Sequence, residues 1–457
     1  MPQVLEACRR GRGVSALLCC VGLASQACAP APPQRAPDLV LISIDSLRPD
    51  HLGSYGYAAP TSPVLDALAA EGIRFSQAVS TTSWTLPAHA ALFTGLYDTA
   101  HGVVARNLAL AESHRTLAEE LRDAGYRTLG LYTGPLLHAR YGLSQGFEQW
   151  RDCAARPGAP EGAEPTSPCA VAVVRDWLAA PDPRPLFLFL HLFDVHYDYA
   201  PPARYTALFD PDYRGDTDFS HFAGNRAIGP GMSARDLQHL IALYDGEIRY
   251  TDEHVGQIFE LLRGAGRYAD AVVAVTSDHG DEFFEHGSKG HRQSLFDEVL
   301  RIPLLLKLPG ARGAGRVVHE QVRLIDLFPT FLSLAGIRLP GVQGRDLLPL
   351  LAGEPWAPSA ALATLYRGEG RWLALRFPEK KLLVHEQGGE RLHDLREDPG
   401  ERTPLTGDRD QARLRERLDS ALLESERLRH ERGLEPVPMG ELAPELEARL
   451  QALGYLD

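Results

Sequence analysis

Asp38-Leu39-Val40-Leu41-Ile42-Ser43-Ile44-Asp45 is an apolar run that closes on a carboxylate. Its near-continuous hydrophobicity predicts a strand buried on both faces. Asp45 is then expected at the strand's end, where a carboxylate is expensive to desolvate unless it is paired or coordinated.

The same grammar repeats along the chain. Thr61-Ser62-Pro63 supplies a cap and a proline for a helix ending before Gly72. Arg115 to Ala124 has helical spacing, Arg127 to Tyr132 reads as a strand, and Leu186 to Phe193 is strongly apolar. Ala271 to Thr276 and Ile302 to Leu308 are further strands, the second followed by a helix from Ile325 to Ala335. Strands alternating with helices predict an α/β fold, a large and mostly parallel sheet flanked by helices. Functional side chains are expected at the carboxyl ends of its strands, where Asp45, His191 and Asp278 fall.

Beyond about Gly344 the pattern changes to short alternating segments, Arg371 to Phe377 and Lys381 to His385. A charged helix carrying Leu414, Leu418, Leu422 and Leu428 on one face follows, and it is expected to pack on its own domain. The domains read as a catalytic unit over 38–345 and a smaller α+β subdomain over 346–457.

At 457 residues, with 44% hydrophobic and 23% charged residues, the chain has the composition of a globular protein. Its net charge of -13, with no basic stripe, excludes a nucleic-acid binder. Arg9, Arg10 and Arg12, the apolar stretch from Val14 to Ala24, and Ala27-Cys28 read as an export signal over 1–28, followed by a linker over 29–37. The stretch is too short to span a bilayer. Cys28 resembles a bacterial lipoprotein site, with Ser25 where an aliphatic residue is usual, so lipidation at Cys28 (a membrane tether) and simple cleavage stay open. Either places the protein in the periplasm or cell envelope. Cys153 and Cys169 bracket a Pro/Gly-rich stretch, and in an oxidising compartment they read as a disulfide, with two free thiols as the alternative.

One further segment carries the chemistry. Ser83-Trp84-Thr85-Leu86-Pro87-Ala88-His89-Ala90-Ala91-Leu92-Phe93-Thr94-Gly95, with Asp45 upstream and Thr276-Ser277-Asp278-His279-Gly280 downstream, resembles the sulfatase family of the alkaline phosphatase superfamily. His393-Asp394-Leu395-Arg396-Glu397-Asp398-Pro399-Gly400-Glu401 resembles that family's Tyr-Asp-Leu-x-x-Asp-Pro-x-Glu segment, and Leu453-Gly454-Tyr455-Leu456 is an ending familiar from bacterial members. The resemblance implies an alkaline phosphatase-like fold. In the family the segment runs Cys-x-Pro-x-Arg and the Cys becomes formylglycine. Here Thr85 holds the Cys position and His89 the Arg position, so no formylglycine is expected.

From the resemblance, Asp45, Asp278 and His279, with Thr85, are expected to hold a divalent metal ion (manganese, zinc, calcium or magnesium). Ser46 replaces a second family Asp, which removes one anionic ligand. Thr85 is expected near the start of a helix beginning around Pro87, either as a metal-activated nucleophile or as an ordinary N-cap. His196 and His291 are expected to contact the transferred group or leaving oxygen, with Lys289 as the second candidate in its loop and His89 on the substrate side. His191 is either a substrate contact or a core histidine bonded to backbone. Asp281 and Glu282 read as loop acids, and Arg48 and Asp50 as a surface pair.

The function so implied is metal-dependent hydrolysis of a sulfuric or phosphoric ester through a covalent Thr85 intermediate. The missing Cys favours phosphate mono- or diesters. Substrates of this kind are sulfated or phosphorylated glycans, lipids or small molecules. Two alternatives are a phospho-group transferase acting on lipid or glycan, and an inactive sulfatase-like glycan-binding protein.

Overall fold

Alternate residues of the opening strand face two different cores. Leu39 and Leu41 join one cluster with Phe75, Phe187 and Phe189, while Val40, Ile42 and Ile44 join the other with Leu188, Leu190 and Val275. All six residues of the strand are buried, and each large aliphatic side chain contributes about 1.5–3 kcal/mol by leaving water. The computed structural model describes residues 36–153, 166–339, 341–368, 370–407, 409–453 and 455. The expected leader with Cys28, and the linker up to Arg35, lie outside them. Ala36–Asp457 forms one compact unit.

The main sheet has nine strands: β1 (Leu39–Ile44), β2 (Ile73–Val79), β3 (Arg127–Tyr132), β4 (Gln149–Asp152), β5 (Leu186–Leu192), β6 (Val272–Thr276), β7 (Arg301–Lys307), β8 (Arg316–Val318) and β9 (Val322–Arg323). Their order is β8-β2-β7-β6-β1-β5-β3-β4, with β9 also on β2. β7 runs antiparallel to both β2 and β6, and the other pairings are parallel. The expected mostly parallel sheet is therefore present. Ser43 in β1 lies opposite His191 on one side and Thr276 on the other. This register delivers Asp45, His191 and Asp278 to the carboxyl ends of three adjacent central strands.

Three helices position the site. α1 spans Pro63–Glu71, α2 spans Thr85–Thr94, and α3 is a long helix over Ala234–Gly264. The expected cap on α1 differs. Ser62 makes no capping bond; Asp252 of α3 instead accepts from Val64 N at 3.0 Å and Leu65 N at 2.9 Å. A buried carboxylate from a distant helix thus satisfies the helix start.

A four-stranded antiparallel sheet follows: β10 (Ala361–Arg367), β11 (Gly370–Arg376), β12 (Lys380–His385) and β13 (Glu390–Asp394). The charged helix α4 (Asp410–Arg432) lays Leu414, Leu418 and Leu422 against Leu373, Leu375 and Leu382 of this sheet. Lys381 is fully buried and donates to Asp297 Oδ1 at 2.9 Å and Glu401 Oε2 at 2.8 Å, which ties β12 to the segment before β7. The last helix, α5 (Pro444–Ala452), inserts Leu446 and Leu450 into the main core. Cys153 and Cys169 form a disulfide with Cα atoms 5.8 Å apart. No helix of the described residues is long and apolar enough to cross a membrane.

Candidate active site

Two carboxylates meet at the end of β1. Asp45 is completely buried, and the next residue, Ser46, takes a left-handed φ of 56°. That conformation is unfavourable for a non-glycine residue, and here it turns the backbone toward Asp278. Ser46 N donates to Asp278 Oδ1 at 3.2 Å and Ser46 Oγ donates to Asp45 Oδ1 at 2.9 Å. Ser46 is therefore an orienting residue between the acids. His279 Nε2 lies 3.4 Å from Asp278 Oδ2 and 3.8 Å from Asp45 Oδ1. Burial acts to lower the His279 pKa, but the charges of Asp278, Asp45 and Asp281 outweigh it and hold the imidazole above its ordinary value.

Thr85 opens α2 two residues earlier than the expected start at Pro87. Its Oγ1 lies 3.3 Å from Asp45 Oδ2 and 3.4 Å from His279 Nε2. Thr85 is the first helical residue and no side chain caps the helix, so the N-cap alternative is not what the structure shows. The positive end of α2 faces the same point as the Thr85 hydroxyl.

The histidines divide into two groups. His196 and His291 gather beyond Thr85 with ring centroids 4.9 Å apart. His196 Nδ1–H donates to Tyr197 O, and His291 Nδ1–H donates to Asp281 Oδ1 at 2.7 Å. Both Nε2 atoms therefore face the site as acceptors in the neutral rings. Burial pushes His196 down to about 4; burial and the neighbouring His279 hold His291 well below its ordinary range.

The other expected contacts are corrected. His89 lies behind the acids, with Nδ1–H donating to Thr85 O at 2.8 Å and Nε2 accepting from Ser43 Oγ at 3.0 Å. Both of its nitrogens are spent inside the protein because the i, i+4 turn of α2 points it back at β1. His191 bonds neither substrate space nor backbone; its Nε2 lies 3.2 Å from Asp45 Oδ2. Lys289 points away, donating to Asn225 O at 2.8 Å and Ile228 O at 2.7 Å. Arg48 does pair with Asp50, but it is buried and also holds Glu285 at 2.6 Å.

Two residues join the site beyond those expected, Asp281 and Tyr455. Asp281 and Glu282, expected as loop acids, are both fully buried. Asp281 fixes His291 and accepts from Tyr199 OH at 2.5 Å. Tyr455 comes from the C-terminal segment, its OH 2.8 Å from His196 Nε2 and 3.4 Å from His291 Nε2. The Leu453-Gly454-Tyr455-Leu456 ending was visible in the sequence, and nothing in it marked an active-site residue.

A family model, Sulfatase, matches residues 37–337. The chain belongs to the sulfatase family. A second model, the C-terminal region of N-sulphoglucosamine sulphohydrolase, matches residues 285–428. Sulfatase relatives include the steryl-sulfatase of Mus musculus, 28% identical over 94% of this chain and 88% of its own. Another is the arylsulfatase of Clostridium perfringens, 25% identical over 84% of this chain and 92% of its own. Among solved structures, the phosphonate monoester hydrolase of Agrobacterium radiobacter superposes with a TM-score of 0.70 at 23% identity, covering 89% of this chain and 100% of its own. A protein solved with D-glucosamine-2-N,6-O-disulfate superposes with a TM-score of 0.71 at 20% identity, covering 87% of this chain and 99% of its own. These structures show the fold. The sulfatase-family chain is a hydrolase acting on ester bonds.

Members of the family use a divalent metal ion, and the residues present fit one. Ligand atoms of Asp45, Asp278 and His279 all lie within 4.8 Å of one another and all three residues are buried. Asp278 Oδ2 has no hydrogen-bond partner, a costly state for a buried carboxylate oxygen that a cation relieves. The two other His/Asp groupings at the site involve the spent His89 and the bonded Asp281–His291 pair.

Proposed function

We propose that this sulfatase-family hydrolase cleaves an anionic ester through Thr85 as nucleophile, with phosphate mono- or diesters favoured over sulfates. The observation that carries the reading is the Thr85 hydroxyl, 3.3 Å from Asp45 Oδ2 and 3.4 Å from His279 Nε2 at the uncapped start of α2. Asp45, Asp278, His279 and Thr85 would hold the divalent ion. When bound, such an ion lowers the pKa of the hydroxyl and offsets the charge of the substrate anion.

In the first half-reaction Thr85 Oγ1 bonds to the central phosphorus or sulfur and the bond to the leaving oxygen breaks. The Thr85 proton ends on that leaving oxygen, with His196, His291 and Tyr455 as the hydrogen-bonding groups that face it. In the second half-reaction water adds to the central atom, the bond to Thr85 breaks, and the water's proton returns to the Thr85 oxygen. His291 Nε2 suits the accepting role because Asp281 holds the ring's other proton.

The preference for phosphate rests on Thr85 itself: formylglycine releases sulfate through a hemiacetal, and threonine has no such route. The phosphonate monoester hydrolase fold of a structural neighbour supports it. Family membership favours the second reading, a sulfate ester on a glycan, the ligand class present in another neighbour. Kinetics on aryl sulfate, phosphate monoester, phosphodiester and phosphonate monoester substrates with manganese, zinc, calcium and magnesium separate the two. The largest kcat/KM on a phosphorus ester supports the first reading, and the largest on the sulfate overturns it. Export to an oxidising compartment is part of the proposal, supported by the Cys153–Cys169 disulfide and by the Arg9 to Cys28 pattern.

A further inference from the structure

Arg292 follows His291 and adopts a left-handed φ of 62°, a strained conformation for arginine. Its N–H donates to Ser83 O at 3.0 Å, which ties the loop to the segment before Thr85. Its guanidinium lies 4.8 Å from the centroid of Trp84 and 5.4 Å from that of Tyr455. One of these rings precedes the nucleophile and the other touches both active-site histidines. The cation is thus held, partly buried, between the ring that precedes Thr85 and the ring that meets His196 and His291.

Among the described residues it has no counter-charge. Arg48 faces Asp50 and Glu285, Arg323 faces Asp326, and Arg376 faces Asp297. Among the described residues no carboxylate pairs with Arg292, although the chain carries 60 acids against 47 lysines and arginines. Its charged neighbours are instead alike. Burial and the nearby Arg106 and Arg367 depress the Arg292 pKa, against the opposing pull of Tyr455 and Tyr197. Neither Arg106 nor Arg367 has a carboxylate partner among the described residues; Arg367 is exposed and reaches only Gln293 O at 3.4 Å. Arg292 held between two rings, with Arg367 bonded to the neighbouring Gln293 O, forms in this acidic protein a site suited to an anion. Guanidinium donors suit an oxyanion better than any other partner.

We infer that Arg292, flanked by Arg106 and Arg367, binds a second oxyanion of the substrate, a carboxylate, sulfate or phosphate carried on the leaving part of the ester. The inference rests on the proposed placement of the scissile group at Thr85. It narrows the substrate class to esters whose remainder is itself anionic.

Calorimetric binding of phenylphosphonate and its 2-, 3- and 4-carboxy derivatives tests this without turnover, so the result is independent of whether Thr85 or a water attacks. At least one carboxy derivative should bind wild type about 10-fold tighter or more than the parent, a gain that shrinks as salt rises. Arg292→Gln should erase that gain, Arg292→Lys should keep part of it, and the Arg106→Gln/Arg367→Gln pair should reduce it. Sulfo derivatives run in parallel rank a sulfonate, the non-hydrolysable stand-in for sulfate, against carboxylate. Equal affinity for all the phosphonates, or a gain that survives in Arg292→Gln, overturns the subsite. Failure of phenylphosphonate itself to bind overturns the placement at Thr85 and this inference with it.

Discussion

Replacing Asp281 with asparagine should disable His291 without disturbing the metal ligands. Both Asp281 oxygens act as acceptors: Oδ1 receives His291 Nδ1–H at 2.7 Å and Oδ2 receives the Tyr199 hydroxyl at 2.5 Å. An asparagine must present an NH2 group to one of them. Facing Tyr199, that group leaves His291 a neutral acceptor in place of a charged one; facing His291, it meets another donor, and the imidazole answers by moving its proton to Nε2. The acceptor that faces Tyr455 and the site then becomes a donor. A lost charge-assisted hydrogen bond is worth about 1.5–3 kcal/mol, which at about 1.4 kcal/mol per decade corresponds to a fall in kcat of roughly 10- to 150-fold. The assay is steady-state kinetics on the best aryl ester, with melting temperature and bound metal measured on the same sample. Metal content and KM should change little. A kcat within about twofold of wild type refutes the role of Asp281, and loss of metal refutes its assignment as a positioning residue.

Two further predictions concern the fold. Lys381→Met leaves Glu401, whose Oε1 already lacks a partner, as an uncompensated buried carboxylate beside Asp297, and should destabilise the protein by about 3–5 kcal/mol in urea unfolding, with recovery when Glu401→Gln is added. A loss below about 1 kcal/mol contradicts the reading of that network. Burial raises Asp252 from 3.8 to about 7, so between those values the folded protein keeps a proton that the unfolded chain has released. Stability from this group is complete at low pH and falls as pH rises, by at most about 1.4 kcal/mol per unit. Asp252→Asn should flatten the melting temperature over that window, and an unchanged slope argues against it.

Much of this architecture is written in local pattern. β1, β5 and β6 are apolar runs because both of their faces meet a core, and that signal needs no knowledge of their partners. Asp45, Asp278, His279 and Thr85 were identifiable because each ends a strand or begins a helix within a familiar motif. α3 carries an apolar stripe through Leu240, Tyr244, Ile248, Val255, Ile258 and Leu262 but also buries His239, Asp245, Glu247, Asp252 and His254, polar residues that hydrophobicity alone assigns to solvent. Asp245, Glu247 and Asp252 are satisfied by distant groups, His51, Ala200 N and the start of α1. Tyr455 was illegible for a related reason: its partners, His196 and His291, lie 259 and 164 residues away in the chain. His89 and Lys289 have the right chemistry for an anion site, and only the turn of α2 and the path of the 289–291 loop show that they face elsewhere.

In the proposed reaction Thr85 forms the covalent bond. Rapid acid quenching of wild-type enzyme with its best substrate, followed by peptide mass spectrometry, should find a phosphoryl or sulfuryl adduct on Thr85 and nowhere else. Thr85→Ser should retain the adduct at reduced rate, because the attacking oxygen remains. Thr85→Ala should lose adduct and turnover while staying folded, since its side chain makes no helix cap. Undiminished hydrolysis by Thr85→Ala contradicts the account and leaves water as the attacking group.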